Sequence, residues 1–149
     1  MLVGIATAVL VVLAIVVAVV LPERSTTYPA GSPEARFQAF YTAWEARELD
    51  TAYALLSDEV RASITPAEYR RMDDEMTWVR SEDRRVLLLA SDVSTDRAVL
   101  DVRVETFSSG GFGGQRYSYE QAIRLVREGG EWFVDQALLG VEPAYDPGP

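Results

Sequence analysis

This chain of 149 residues has no Cys, no His and no Lys, so all fourteen cations are Arg. Without Cys there is no disulfide, no thiolate nucleophile and no lipid-bearing cysteine. Zinc and most transition metals rely on imidazole or thiolate, so their usual sites are excluded, and no cofactor is expected. Histidine-dependent acid–base and triad chemistry is excluded as well. Basic clusters are scarce too. Arg70-Arg71 and Arg84-Arg85 are the only Arg doublets, and the net charge is −9. Nucleic acid is bound through clustered cations, so it is not an expected partner.

One stretch lacks charge altogether. Leu2 to Leu21, "LVGIATAVLVVLAIVVAVVL", is twenty uncharged residues, and Pro22, Glu23 and Arg24 end it. As a helix it spans roughly 30 Å, the thickness of a bilayer's hydrocarbon core. Residues 1–22 are therefore read as a transmembrane anchor, with residues 2–21 meeting the membrane. The rival is a cleaved signal peptide. Its apolar region runs about 7–15 residues before a small-x-small site, and the nearest candidate, "TYPAGS", carries Tyr28 where a small residue is required. No cation precedes the run, whereas Arg24 and Arg36 follow it. Taken literally, that favours a cytoplasmic C-terminal side, but long domains translocate regardless of such charges. A single-pass protein of the cell membrane with its domain outside the cytoplasm is the reading adopted.

Residues 23–31 form a linker with Pro, Gly and hydroxyl residues and no apolar period. The domain, residues 32–140, opens with a capped helix: Ser32 as cap, Pro33 in the first turn, Glu34 at the positive end of the dipole. Phe37, Phe40, Tyr41 and Trp44 share one face at steps of three and four. A second helix is expected near Asp50. A third opens at Thr65-Pro66, with Glu68 completing a capping box. Its charged run, Arg70 to Glu75, reads as a solvated face.

From Arg84 the period changes to two. "RRVLLLASDV" reads as a largely buried strand, and "RAVLDVRVET" alternates Ala98, Leu100, Val102 and Val104 against Val99, Asp101, Arg103 and Glu105. "RYSYEQAIRLVR", an "EGG" turn and "EWFVDQALL" supply two more strands. Helices followed by an antiparallel meander make an α+β domain. The tail, residues 141–149, is Pro-rich and extended.

"FSSGGFGGQR", Phe107 to Arg116, tests whether the glycines cradle a phosphate. Such a loop leads from a strand into a helix N-terminus, where N–H groups converge on the anion. Here it leads from strand to strand and lacks the GK[ST] ending, so it is a hairpin loop. Phe112, between two Gly pairs, is a loop contact candidate for a ligand, partner or lipid.

Two segments, "ARFQAFYTAWEARELDTAYALLSDEV" and "TPAEYRRM", with the closing "GGEWFVDQALL", resemble the nuclear-transport-factor-2-like superfamily, which includes SnoaL-like proteins and ketosteroid isomerase. The resemblance covers most of residues 32–139. It implies three helices packed on a curved antiparallel sheet around a conical pocket, for which Phe37, Tyr41, Trp44, Tyr119 and Asp135 are the candidate lining. No catalytic residue is assigned. Asp135 is the carboxylate that a catalytic reading would use, with tyrosine donors as in isomerases of this fold. The leading function is non-enzymatic binding of a small apolar ligand or of an envelope protein. One alternative is a carboxylate–tyrosine isomerase or hydrolase-like enzyme. Another is a structural module that homodimerises through the sheet's outer face, as family members do.

Overall fold

A computed structural model describes residues 27–75, 83–108 and 115–137. Three expectations lie outside those residues: the membrane segment at 2–21, the loop contact Phe112 and the tail at 141–149. Among the described residues no helix is long and apolar enough to cross a membrane.

Helix α1, Pro33–Glu45, begins as its sequence dictates. Ser32 is extended and its Oγ accepts the Ala35 N–H at 3.2 Å. The end of α1 is less ordinary. Glu48 N–H donates to Ala43 O at 2.9 Å and Arg47 N–H to Trp44 O at 3.1 Å, a Schellman pattern that places residue 47 in the left-handed region. That position is usually Gly, yet here it is Arg47 with φ +60°. Its guanidinium reaches Asp74 at 2.8 Å and Asp73 at 3.6 Å.

Helix α2, Leu49–Ala54, has Glu48 rather than Asp50 at its cap position, without a side-chain bond. Asp50 instead pairs with Arg70 across the helices. Helix α3, Asp58–Ser63, was not anticipated, which makes four helices instead of three. Its six residues bury none of their own, so it has no apolar period to detect; it is held by the Ser57 cap, whose Oγ accepts the Val60 N–H at 3.2 Å. Helix α4, Pro66–Glu75, carries the expected capping box. Thr65 N–H donates to Glu68 Oε2 at 2.8 Å and Glu68 N–H to Thr65 Oγ1 at 3.2 Å. Those bonds hold the Glu68 carboxyl below its usual range. The charged run of α4 is not uniformly solvated, however: Asp73 is fully buried.

Strands β1 (Asp83–Val93), β2 (Arg97–Ser108), β3 (Gln115–Glu128) and β4 (Glu131–Val134) form one antiparallel sheet in the order β1-β2-β3-β4. Gly129 and Gly130, at φ +58° and +93°, make the two-residue turn before β4, a geometry that asks for positive φ at both central positions. The fourth strand stops short of the expected Leu139. Asp135 N–H still donates to Arg124 O at 2.9 Å, but the Arg124 N–H then meets the side chain of Gln136 rather than a backbone carbonyl.

Register defines an inner face: Val86, Val104 and Tyr119 lie abreast, then Leu88, Val102 and Gln121, and further along Leu100 with Ile123 and Leu125 with Val134. Helix α1 packs against β4, and Phe40, Trp44, Leu56, Tyr69, Leu100, Val102, Ile123 and Val134 fill the core. Each such side chain contributes about 1.5–3 kcal/mol on burial. The outer rim of β4 is closed by the α2–α3 junction, where Val134 N–H donates to Leu55 O and Ser57 N–H to Val134 O, both at 2.9 Å.

Strand β1 differs from its expectation. None of its described side chains is buried, and Leu89 and Val93 are 44% and 48% exposed. As the first strand of the meander it has, among the described residues, a neighbouring strand on one side only, so apolar composition alone did not bury it.

Substitution at residue 47 separates two effects. Arg47→Ala and Arg47→Gly both remove the ion pairs, but only Gly relieves the left-handed backbone. Gly is expected to be the more stable variant by about 1 kcal/mol in urea unfolding; equal stabilities would contradict a strained Arg47.

Candidate functional site

The aromatic face of α1 divides between two roles. Phe37 and Trp44 are buried in the core, so they pack rather than line an open space. Tyr41, between them, is half-buried, with ring centroids 6.2 Å from Phe37 and 6.1 Å from Trp44. Its position brings it toward the end of the inner face nearest the β2–β3 hairpin. There Arg84, Thr106 and Tyr117 lie abreast on β1, β2 and β3, beside the row of Val86, Val104 and Tyr119. The Arg84 guanidinium lies 5.9 Å over the Trp44 ring. Tyr119 is half-buried and Tyr117 is 63% exposed, their rings 6.0 Å apart. Val104 and Thr106 are buried, whereas Val86, Leu88 and Tyr119 beside them reach solvent. This is where the apolar inner surface meets water.

The electrostatics centre on Tyr41. Burial pushes its phenol well above the usual tyrosine range, and the charge and hydrogen bonding of Glu45, one turn along, add to the shift. The Arg84 cation opposes it, and Tyr119 contributes weakly. Tyr41 is therefore a neutral phenol through the physiological range, set between a carboxylate and a guanidinium.

Asp135 is elsewhere. It alternates away from the buried Trp132 and Val134, on the row of half-buried Phe133, whose ring is approached by Arg36 at 5.1 Å and Arg61 at 5.8 Å. Its Oδ1 accepts the Ser57 hydroxyl at 2.8 Å. The same Ser57 oxygen caps α3, so Asp135 fixes a helix start and the rim of β4 at once. The structure thus brings Phe37, Tyr41, Trp44 and Tyr119 to one region and leaves Asp135 out of it. Glu45 and Arg84 belong to that region and were missed by sequence reasoning. Glu45 had a usable signal in its i,i+4 spacing from Tyr41; Arg84, at the start of β1, had none.

Two clefts lie away from this region. One, of about 370 Å³, is lined by Gly31, Ser32, Arg36, Glu131 and Trp132 near the start of α1. The other, of about 350 Å³, lies at Leu89, Ala90, Asp101 and Glu120. In the first, Arg36 is already paired with Glu131 at 2.8 Å. Among the described residues no group of acidic side chains converges to hold a metal ion.

The backbone is similar to solved structures at low identity. A SEC-C motif containing protein from Rhodopseudomonas palustris is 20% identical at a TM-score of 0.55, over 74% of this chain and 80% of that one. A candidate calcium/calmodulin-dependent protein kinase type II association domain from Thiobacillus denitrificans is 19% identical at 0.53, over 72% of this chain and 93% of that one. A SEC-C motif containing protein from Psychrobacter arcticus is 9% identical at 0.54, over 80% and 67%. These likenesses establish the fold alone. No family model matches the chain, and no curated protein matches it. Helices on a four-stranded antiparallel meander fit the nuclear-transport-factor-2-like fold suggested by the sequence.

The raised phenol of Tyr41 has a consequence for stability. A folded-state pKa above the unfolded value of about 10 gives stability that is complete below pH 10 and lost as the pH rises further. With no Lys, the seven tyrosines dominate side-chain titration in that window. Urea midpoints from pH 8 to 11 should fall less steeply in Tyr41→Phe than in the parent chain. Parallel slopes would contradict the placement of Tyr41.

Proposed function

We propose that this chain is a membrane-anchored, non-enzymatic binding domain that holds a small, largely apolar molecule at the hairpin end of its inner sheet face. The carrying observation is Tyr41: a phenol half-withdrawn from water, between Glu45 and Arg84, where Val86, Leu88 and Tyr119 leave the inner surface open. An apolar body would lie on those side chains, and one polar group would meet the phenol or the guanidinium. Small-molecule sites of this kind combine apolar walls with few polar contacts. The anchor rests on the twenty uncharged residues at 2–21, and the extracytoplasmic side on the usual topology of an N-terminal anchor that carries a C-terminal domain.

The carboxylate–tyrosine enzyme has less support. Its carboxylate, Asp135, is engaged by Ser57 on the opposite row from Trp132 and Val134. Docking of an envelope protein at the same uncovered surface is the second reading, favoured by the 63% exposure of Tyr117.

Native mass spectrometry of the full chain, released from detergent, tests the proposal. A bound mass other than the detergent should appear, disappear on denaturation and be depleted several-fold in Tyr119→Ala. A bare chain, or a mass held equally by the variant, would refute a small-molecule site and turn the search to a protein partner.

A further inference from the structure

The sheet has two rims, and they are treated differently. Backbone bonds from Leu55 and Ser57 close the rim of β4. The rim of β1 has no strand beside it among the described residues, although β1 is eleven residues long. A long edge strand presents a row of free N–H and C=O groups, a ready template for another strand. Apolar side chains accompany it, with Leu89 44% and Val93 48% exposed.

We propose that β1 pairs antiparallel with β1 of a second copy of this chain, joining the two sheets into one eight-stranded sheet. The argument is the self-complementarity of the strand. Register with β2 puts Arg85, Leu87, Ala90 and Asp92 on the outer face, opposite Glu105, Arg103, Asp101 and Val99. Arg84, Val86, Leu88, Ser91 and Val93 lie on the inner face. The switch from odd to even numbering comes from the bulge between Leu88 and Ala90. In a regular strand, an antiparallel two-fold can set like faces opposite in many registers. Here the bulge restricts the choice, and the register with the axis between Leu88 and Leu89 is the one that also sets opposite charges against each other. In that register Arg85 faces Asp92 of the other copy, twice by symmetry. Leu87 faces Ala90, Val86 faces Ser91, and Leu88 meets Leu89 beside the axis. Every face matches and both charge pairs are opposite in sign. Arg85 and Asp92 are exposed in the single chain, and no salt bridge within the chain is described for either. Cross-strand pairs of opposite charge stabilise a sheet, and like charges placed opposite destabilise it. A two-fold contact of this type is isologous and closes at the dimer.

This contact differs from dimerisation through the sheet's outer face. There one pair of charges is already engaged within the chain: Arg103 binds Glu120 at 2.6 Å.

The test uses the full chain in detergent micelles, which suits the apolar segment at 2–21. Sedimentation equilibrium should show a dimer that Arg85→Asp or Asp92→Arg weakens about tenfold each. The double variant Arg85→Asp/Asp92→Arg should restore it, which separates lost pairing from lost folding. Because the chain has no cysteine, Arg85→Cys mixed with Asp92→Cys should form an intermolecular disulfide that neither variant forms alone. A monomer at all concentrations would overturn the proposal. So would a dimer indifferent to the charge swap, or the absence of the mixed disulfide, as expected if another segment of the chain covers β1.

Discussion

The packing of α1 against β4 is the constraint on which the rest of this domain depends. Trp44 and Phe40 are the large side chains that fill the space between helix and sheet, and both are sealed from water. Their burial fixes the rotation of α1 about its axis. That rotation leaves Tyr41 at the margin, half-buried, beside Glu45 and facing Arg84 and Tyr119. The proposed binding surface is thus a by-product of core packing: one step around the helix separates a residue sealed in the core from one that reaches solvent.

A second consequence follows from the end of α1. The chain turns through Arg47 in the left-handed region, a conformation costing roughly 1 kcal/mol for a residue with a side chain. The turn delivers the guanidinium to Asp73 and Asp74 on α4, while Tyr53 on α2 packs against Tyr69 at 5.7 Å and bonds the last carbonyls of α3. The small helices therefore form a clamp that joins α1 to the rim of β4 through Leu55 and Ser57. With that rim closed, β1 is the rim with no strand beside it among the described residues.

What could be read in the sequence was local. The Ser32 cap, the Thr65–Glu68 box, the alternation of β2 and the Gly129-Gly130 turn each depend on residues within a few positions of one another. What escaped depended on distant partners. Asp135 looked like a carboxylate for a site because its bond to Ser57, 78 residues away, has no sequence signature. Asp73 looked solvated because its burial beside Arg47, 26 residues earlier in the chain, has no local signature. The run at Leu87 to Leu89 looked buried because composition does not state which strand lies at a rim. Helix α3 escaped because its stability comes from a cap and a tyrosine on another helix.

Comparing Trp44→Ala with Tyr41→Ala in urea unfolding of the full chain tests this division of α1 most directly. The account predicts a loss of about 3–5 kcal/mol for Trp44→Ala and a loss of less than half that for Tyr41→Ala, which removes a ring already partly in water. Equal losses would place Tyr41 in the core with Trp44, and the proposed binding surface would not exist.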